Sequence, residues 1–414
     1  MFNFRFLIIL LVLLGIDIYA FQGIKFLVQD RSAATQKIIH YSYWALTCIS
    51  IGTLIVAAFI DWHTWPKALR TYLFAMIVIV YFSKLLLSTF LLIDDVVRLL
   101  RWGVSKVGSG QSTGGQSIGR LGFLVKLGGL VSAVPLVSMT WGMIKGAYSY
   151  KVKQVILRFD HLPEAFNGFK FVQLSDIHSG SFMSDEHLNE AFDLVLAAQP
   201  DAIFFTGDLV NDLHTEAVPF TETFKRLKAP HGVFSVLGNH DYADYYYRTA
   251  AQLPEKEENL RRLKALQKSF GWKLLLNEHH YFEKDGARIG LVGVENWSAR
   301  ANFSKYGNLQ QAMKGINTDF NILLSHDPSH WEAEVQRYFS NVALTLSGHT
   351  HGFQFGIEIP GFKWSPVQYV YKQWAGLYEK NQQYLYVNRG LGFIGYPGRV
   401  GIMPEITVVT LQKA

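Results

Sequence analysis

Cysteine is almost missing: the 414-residue chain has one, Cys48. That excludes an internal disulfide and any zinc site built from several thiolates. Charge is thin as well. Charged residues make up 17% of the chain against 49% hydrophobic, with a mean hydropathy of +0.12, too apolar for an ordinary soluble enzyme. The formal net charge of +6 is spread out with no dense basic block, so nucleic acid is not an expected partner. Anionic lipid headgroups account for it better.

Long apolar runs are abundant and crowd the first 150 residues. Phe6–Phe21, Tyr41–Ile60, Thr71–Ile93 and Leu127–Ile144 precede every polar motif. Crossing about 30 Å of hydrocarbon takes about 20 residues at about 1.5 Å each. The second and third runs meet that length; the fourth is shorter and bounded by Lys126 and Lys145. The first follows Arg5 as a signal peptide would. However, Ile18-Tyr19-Ala20 lacks the small residue three before a cut, so this run is expected to be retained. Residues 1–150 therefore read as a transmembrane region of about four helices, in an integral multi-pass protein of the cell membrane. Asp17 and Lys84 lie inside spans and are expected to pair with each other or to snorkel. Val107–Gly119, rich in Gly, Ser and Gln, reads as a flexible loop. Basic residues divide almost evenly between the two sides of the spans and set no orientation.

From about Lys151, short β-runs alternate with amphipathic helices. The clearest helix is Asp185–Ala198, with Ser184 as N-cap, Leu188, Ala191, Phe192, Val195 and Leu196 on one face, and a stop at Gln199-Pro200. A second covers Glu255–Ser269 with Leu260, Leu263 and Leu266 inward. Further β-runs lie at Arg288–Val294, Tyr384–Val387 and Glu405–Leu411. The expected fold class is α/β, a mixed two-sheet β-sandwich flanked by helices, over residues 151–414.

Five β-runs stop abruptly at polar residues. Val233–Leu237 leads through Gly238 to Asn239, His240 and Asp241; Phe169–Leu174 leads to Asp176 and His178. Ala202–Phe205 leads to Gly207 and Asp208, Phe320–Leu324 to His326 and Asp327, and Val342–Leu346 to Gly348, His349, Thr350 and His351. Such side chains gathered at strand ends are what a metal site on an α/β sheet requires. All the donors are oxygen or imidazole nitrogen, which suits Mn, Fe or Zn engaged in hydrolysis. In a loop after Gly348, His349 and His351 can diverge to two neighbouring ions. Two ions need a bridging carboxylate, and Asp208, after the sharp turn that Gly207 permits, is best placed for it. Each piece alone is common by chance; all five in this order are not.

Asp176-x-His178, Gly207-Asp208, Gly238-Asn239-His240-Asp241, His326 and Gly348-His349-Thr350-His351 together resemble the signature of the calcineurin-like metallophosphoesterases, over about residues 165–414. Asn388-Arg389-Gly390-Leu391-Gly392 followed by Pro404-Glu405-Ile406-Thr407 resembles their membrane-associated YkuE-like subgroup. One departure is Gly352-Phe353-Gln354 in place of Gly-Gly-Gln, which is expected to narrow the site mouth. The resemblance implies two divalent ions about 3.5–4 Å apart that acidify water and clamp phosphoryl oxygens. Asp176, His178 and His351 would hold the first ion and Asn239, His326 and His349 the second, with Asp208 bridging. His240 would contact phosphate and protonate the leaving oxygen, Asp241 would orient His240, and Arg389 would meet a phosphate oxygen.

Tyr242, Tyr245, Tyr246 and Tyr247, with Arg248, and later Trp364, Tyr369, Tyr371, Trp374 and Tyr378, are rings with polar tips that favour a membrane interface. Around the site mouth they would hold acyl chains, so a phosphorylated, lipid-linked substrate is expected. Enzymes of this fold that cleave UDP-diacylglucosamine are the sharpest analogue. The competing readings are a tethered protein or small-molecule phosphatase and a non-catalytic sensor of metal or phosphate. The complete ligand set argues against the sensor.

Overall fold

The computed structural model describes residues 4–60, 64–107, 122–300 and 303–414. The chain forms two compact units, Met1–Trp141 and Gly142–Ala414.

The first unit is built from α1 (Phe4–Val28), α2 (Ala33–Phe59), α3 (Lys67–Val107) and α4 (Gly122–Ile144). All four are long and apolar enough to cross a membrane. Helix α3 runs well past the expected end at Ile93, because no Pro or Gly interrupts the chain between Asp94 and Trp102. The two intramembrane charges do pair: Lys84 Nζ lies 2.5 Å from Asp17 Oδ1. Thr47 and Tyr81 hydroxyls donate to the same carboxylate at 2.9 and 2.8 Å, and Tyr43 donates to the Asp17 carbonyl at 2.7 Å. The expected flexible loop lies, apart from Val107, outside the described residues.

The second unit is a sandwich of two mixed six-stranded sheets. The first sheet contains β1 (Lys151–Phe159), β2 (Lys170–Leu174), β3 (Ala202–Phe205), β4 (Val233–Ser235) and β5 (Lys273–Leu274). The second contains β6 (Glu278–Lys284), β7 (Ala287–Gly293), β8 (Asn321–Leu324) and β9 (Val342–Ser347). Then come a separate ribbon, β10 (Ile357–Ile359) and β11 (Phe362–Trp364), and finally β12 (Gly376–Lys380), β13 (Gln383–Val387) and β14 (Glu405–Lys413). The sheet orders are β1-β14-β2-β3-β4-β5 and β12-β13-β9-β8-β7-β6. Phe171, Phe204 and Phe234 of one sheet meet Phe282, Leu291 and Leu344 of the other in a shared core.

Helix α5 (Glu186–Ala197) covers the outer face of the first sheet with Leu188, Phe192 and Val195. Asp185, not the expected Ser184, takes its N-cap position, without a side-chain capping bond. Helix α6 (Leu253–Ser269) starts two residues before the expected Glu255, with Pro254 in its first turn, where a missing N–H costs nothing. Of the three leucines expected to face inward, Leu260, Leu263 and Leu266, only Leu263 is fully buried.

Strands β2, β3 and β4 pair in parallel, as do β8 and β9. Their C-terminal ends therefore share an edge in each sheet, and the polar loops all leave from those edges.

Candidate metal centre

Asp176 and His178 follow β2, Asp208 follows β3, Asn239 and His240 follow β4, His326 follows β8, and His349 and His351 follow β9. Asp176, His178, Asp208, His349 and His351 all have φ between 48° and 70°. A left-handed backbone at a non-glycine residue costs about 1–3 kcal/mol and persists only where the surroundings impose it. Gly207, at φ +99°, makes the turn expected before Asp208. Close approach explains Gly348, where a Cβ would collide with Ser175 Oγ and the Asp176 carboxylate.

Donor atoms of Asp176, His178 and His351 lie within 4.8 Å of one another, as do those of Asp208, His326 and His349. Asn239 Oδ1 joins the second group, 3.1 Å from His326 Nε2 and 2.8 Å from His349 Nδ1. Asp208 Oδ2 is 3.1 Å from His326 Nε2 and 3.6 Å from His178 Nε2, so one oxygen adjoins both groups. These seven side chains come together from five separate loops.

The outward-facing imidazole nitrogens decide whether the inward ones suit a cation. His326 Nδ1 donates to the Thr206 carbonyl at 2.8 Å, leaving a lone pair on Nε2. His349 Nε2 lies 2.9 Å from the Tyr371 hydroxyl and 3.6 Å from Asp327 Oδ2, leaving Nδ1 for the site. Asn239 Nδ2 donates to Tyr245 at 3.0 Å, which turns the amide oxygen inward. His178 and His351 aim their Nε2 atoms at each other across 3.0 Å. Spacings of 2.8 to 3.6 Å resemble the edges of a shell whose bonds are about 2.1 Å long, roughly 3.0–3.4 Å. These residues fit divalent cations.

Burial penalises every ionised group here, so the partners decide. At Asp176, burial is outweighed by His351, which holds the carboxyl well below the usual range. At Asp208, burial is outweighed by His326 and His240, with the same result. Burial opposes a charge on His326, but Asp208 beside it raises the ring to about 10, so a cation at this site would take the place of the Nε2 proton. Burial pushes His178 and His349 down, toward the neutral form a ligand needs. Burial, then Asp208, pushes Asp241 up to about 7.

Two expected roles differ from the geometry. Asp241 does not orient His240. Its carboxylate accepts backbone N–H groups of Asp208, Leu209 and Gly238 at 2.8–2.9 Å, locking two loops together. His240 is held instead by Asn211, whose carbonyl takes Nδ1–H at 2.7 Å. Arg389 is not free for phosphate: it pairs with Glu405 and, at 2.9 Å, with Glu358. The two carboxylates take Nη1 and Nη2, the terminal nitrogens that would grip a phosphate.

Asn211 and Arg399 are not expected at the site, and Tyr371, expected only at its mouth, bonds His349 and Asp327 directly. Buried Arg399 donates to the Gly390 and Gly392 carbonyls and approaches His351 Nδ1 at 3.4 Å. Asn211 and Arg399 sit in loops without period or motif, so the chain alone gives no signal for them. Of the aromatic residues expected at the mouth, Tyr245 packs on His240 and Tyr371 on His349, with ring centroids 4.7 and 5.4 Å apart. Tyr242 is buried against Tyr306, and Trp374 is buried too. Phe353, expected to narrow the mouth, is exposed.

Residues 169–353 match the family model described as "Calcineurin-like phosphoesterase", and residues 4–147 match "Probable Calcineurin-like phosphoesterase, transmembrane domain". The chain belongs to the calcineurin-like metallophosphoesterases; it is a metal-dependent phosphoric ester hydrolase in a membrane protein. It is 30% identical to "Uncharacterized metallophosphoesterase YkuE" of Bacillus subtilis, over 69% of this chain and 96% of that one. It is 29% identical to "Transmembrane protein with metallophosphoesterase domain" of Danio rerio, over 69% of this chain and 62% of that protein's own length. The Bos taurus protein of the same name is 27% identical over 91% of this chain and 81% of its own.

Proposed function

We propose that this membrane phosphoesterase cleaves a phosphate ester or diphosphate of a lipid-linked substrate, with a nucleotide-lipid such as UDP-diacylglucosamine the sharpest candidate. In this reading residues 1–150 anchor the enzyme in the cell membrane and residues 151–414 are the catalytic domain. The observation that carries the catalytic part is the position of Asp208 Oδ2, adjacent to both ligand groups. Asp176, His178 and His351 form one binding set and Asn239, His326 and His349 the other, with Asp208 between them. Divalent cations (Mn, Fe or Zn) supply the positive charge that acidifies water and polarises the phosphoryl group. His240 keeps its Nδ1 proton on Asn211, so Nε2 is the nitrogen that hands a proton to the leaving oxygen. Asp241 fixes the backbone that carries Asp208, and Asp327 with Tyr371 holds His349 in one tautomer. The lipid part is supported by the four apolar helices and by the aromatic rings of Tyr245 and Tyr371 beside the site.

The test uses full-length protein in nanodiscs. Fluorogenic mono- and diesters are assayed with metal add-back, then a lipid extract is followed by mass spectrometry. The expected result is metal-dependent hydrolysis plus loss of one phosphorylated lipid class. Ester hydrolysis with an unchanged lipid profile would point to a tethered phosphatase for soluble substrates. No hydrolysis under any metal would point to a sensor.

A further inference from the structure

The ribbon of β10 and β11 belongs to neither large sheet. Its pairs are Ile357 with Trp364, Glu358 with Lys363, and Ile359 with Phe362. Paired residues share a face and successive residues alternate. One face therefore carries Ile357, Ile359, Phe362 and Trp364, the other Glu358 and Lys363. The polar face is fastened down: Glu358 receives Arg389 at 2.9 Å and Lys153 at 3.3 Å, and Lys363 donates to the Ala375 carbonyl. The apolar face is open. Ile357, Ile359 and Phe362 are 49%, 58% and 53% exposed, and Pro360-Gly361 at the tip is exposed as well. A two-stranded ribbon has no core of its own, so an open apolar face on one marks a contact surface.

Two observations say what covers it. First, Tyr369, 77% exposed, flanks the face with its hydroxyl 3.4 Å from Trp364 Nε1. Rings with polar tips at the edge of an apolar patch suit the boundary between headgroups and acyl chains. Second, the ribbon is bonded to the place where the chain leaves its fourth apolar helix. The Gly142 carbonyl, in the last turn of α4 and the first residue of the second unit, accepts the Arg399 N–H at 3.2 Å. The next residue, Val400, donates to the Gln354 carbonyl at 2.8 Å and accepts the Gly356 N–H at 2.9 Å. Two consecutive residues thus join the end of a membrane-length helix to the base of the ribbon.

We propose that the apolar face of Ile357–Trp364 lies in the interfacial layer of the membrane that α4 crosses, making the ribbon a lipid-contacting element beside the metal centre. Ile357 comes six residues after His351. Arg389, which grips the ribbon, precedes Gly390, where a Cβ would lie 2.8 Å from Asp176 Cβ. An immersed ribbon therefore keeps one wall of the site close to the bilayer surface, whichever ester is cleaved.

The test uses full-length protein with Cys48→Ser and one new cysteine, at Ile359, at Phe362, or at the exposed Asp285 of the β6–β7 turn as a control. Each is labelled with an NBD fluorophore and placed in nanodiscs with or without shallow doxyl-phosphatidylcholine. The expected result is blue-shifted emission and at least about twofold doxyl quenching at 359 and 362, with none at 285. Equal, weak quenching at all three positions overturns the proposal. Blue-shifted but unquenched emission overturns it as well, assigning the face to another protein or a second copy. An Ile359→Asp variant with the label at 362 should lose the quenching and keep wild-type turnover of a water-soluble ester. Quenching that persists in a protein with no ester turnover supports the ribbon and counts against the catalytic reading alone.

Discussion

Tyr371 meets the candidate metal centre through His349. Its hydroxyl lies between His349 Nε2 and Asp327 Oδ2, at 2.9 and 3.2 Å. Tyr371→Phe keeps the ring and removes the hydroxyl, so metal affinity should fall about 10–100-fold while excess metal restores turnover. A metal add-back titration reads this, and an unchanged midpoint would contradict it. Asp212 offers a separate pH signature. Burial raises its carboxyl to about 6, against the opposing pull of His240, and its Oδ1 has no hydrogen-bond partner among the described residues. Because the folded pKa lies above the unfolded one, the stability contribution is full below about 3.9 and is lost as pH rises through about 6. Asp212→Asn keeps that contribution at every pH. Its Tm gain over wild type should be near zero at pH 4 and level off above pH 7; a gain independent of pH would count against the assignment. The expected ligands could be picked out because each follows a strand end with a glycine or a second polar group nearby. Arg389 is ambiguous in the sequence, because one planar guanidinium serves phosphate and carboxylate equally well.

Among the elements, the clearest consequence concerns α1 and α3. Lys84→Met would leave Asp17 charged and buried without its cation, at a loss of about 3–5 kcal/mol. Asp17→Asn combined with Lys84→Met should recover most of that, because no charge is then left in an apolar setting. Thermal unfolding in detergent measures both, and a double variant as unstable as the single one would refute the pairing. Folded Asp17→Asn protein should hydrolyse soluble esters at the wild-type rate; a loss would make the pair part of an ion path. The helices were legible from hydropathy and the parallel strands from short β-rich runs, since β2, β3, β8 and β9 are buried along nearly their whole length. Helix ends were less legible. Past Ile93 the charges of Asp94, Asp95, Arg98 and Arg101 break the apolar run that marks a span, while α3 continues, with Asp95 paired to Arg98 and bonded by Tyr19. The ribbon leaves no signal in the sequence, because three residues per strand are too few to show a period.

For the molecule as a whole, apolar excess and metal chemistry divide along the chain: membrane-length helices come first, then a sandwich whose strand ends carry the ligands. The left-handed residues at those strand ends concentrate strain where the donors converge, and the sandwich core holds them there. In the proposed function, Asp208 joins two cation sites. The most direct measurement is metal content per chain together with diester hydrolysis, on full-length wild type and Asp208→Asn. Wild type should hold about two divalent ions and hydrolyse the diester, and the variant should hold at most about one ion with at least about a hundredfold less hydrolysis. One ion in active wild type, or an Asp208→Asn protein that hydrolyses at the wild-type rate, would contradict it.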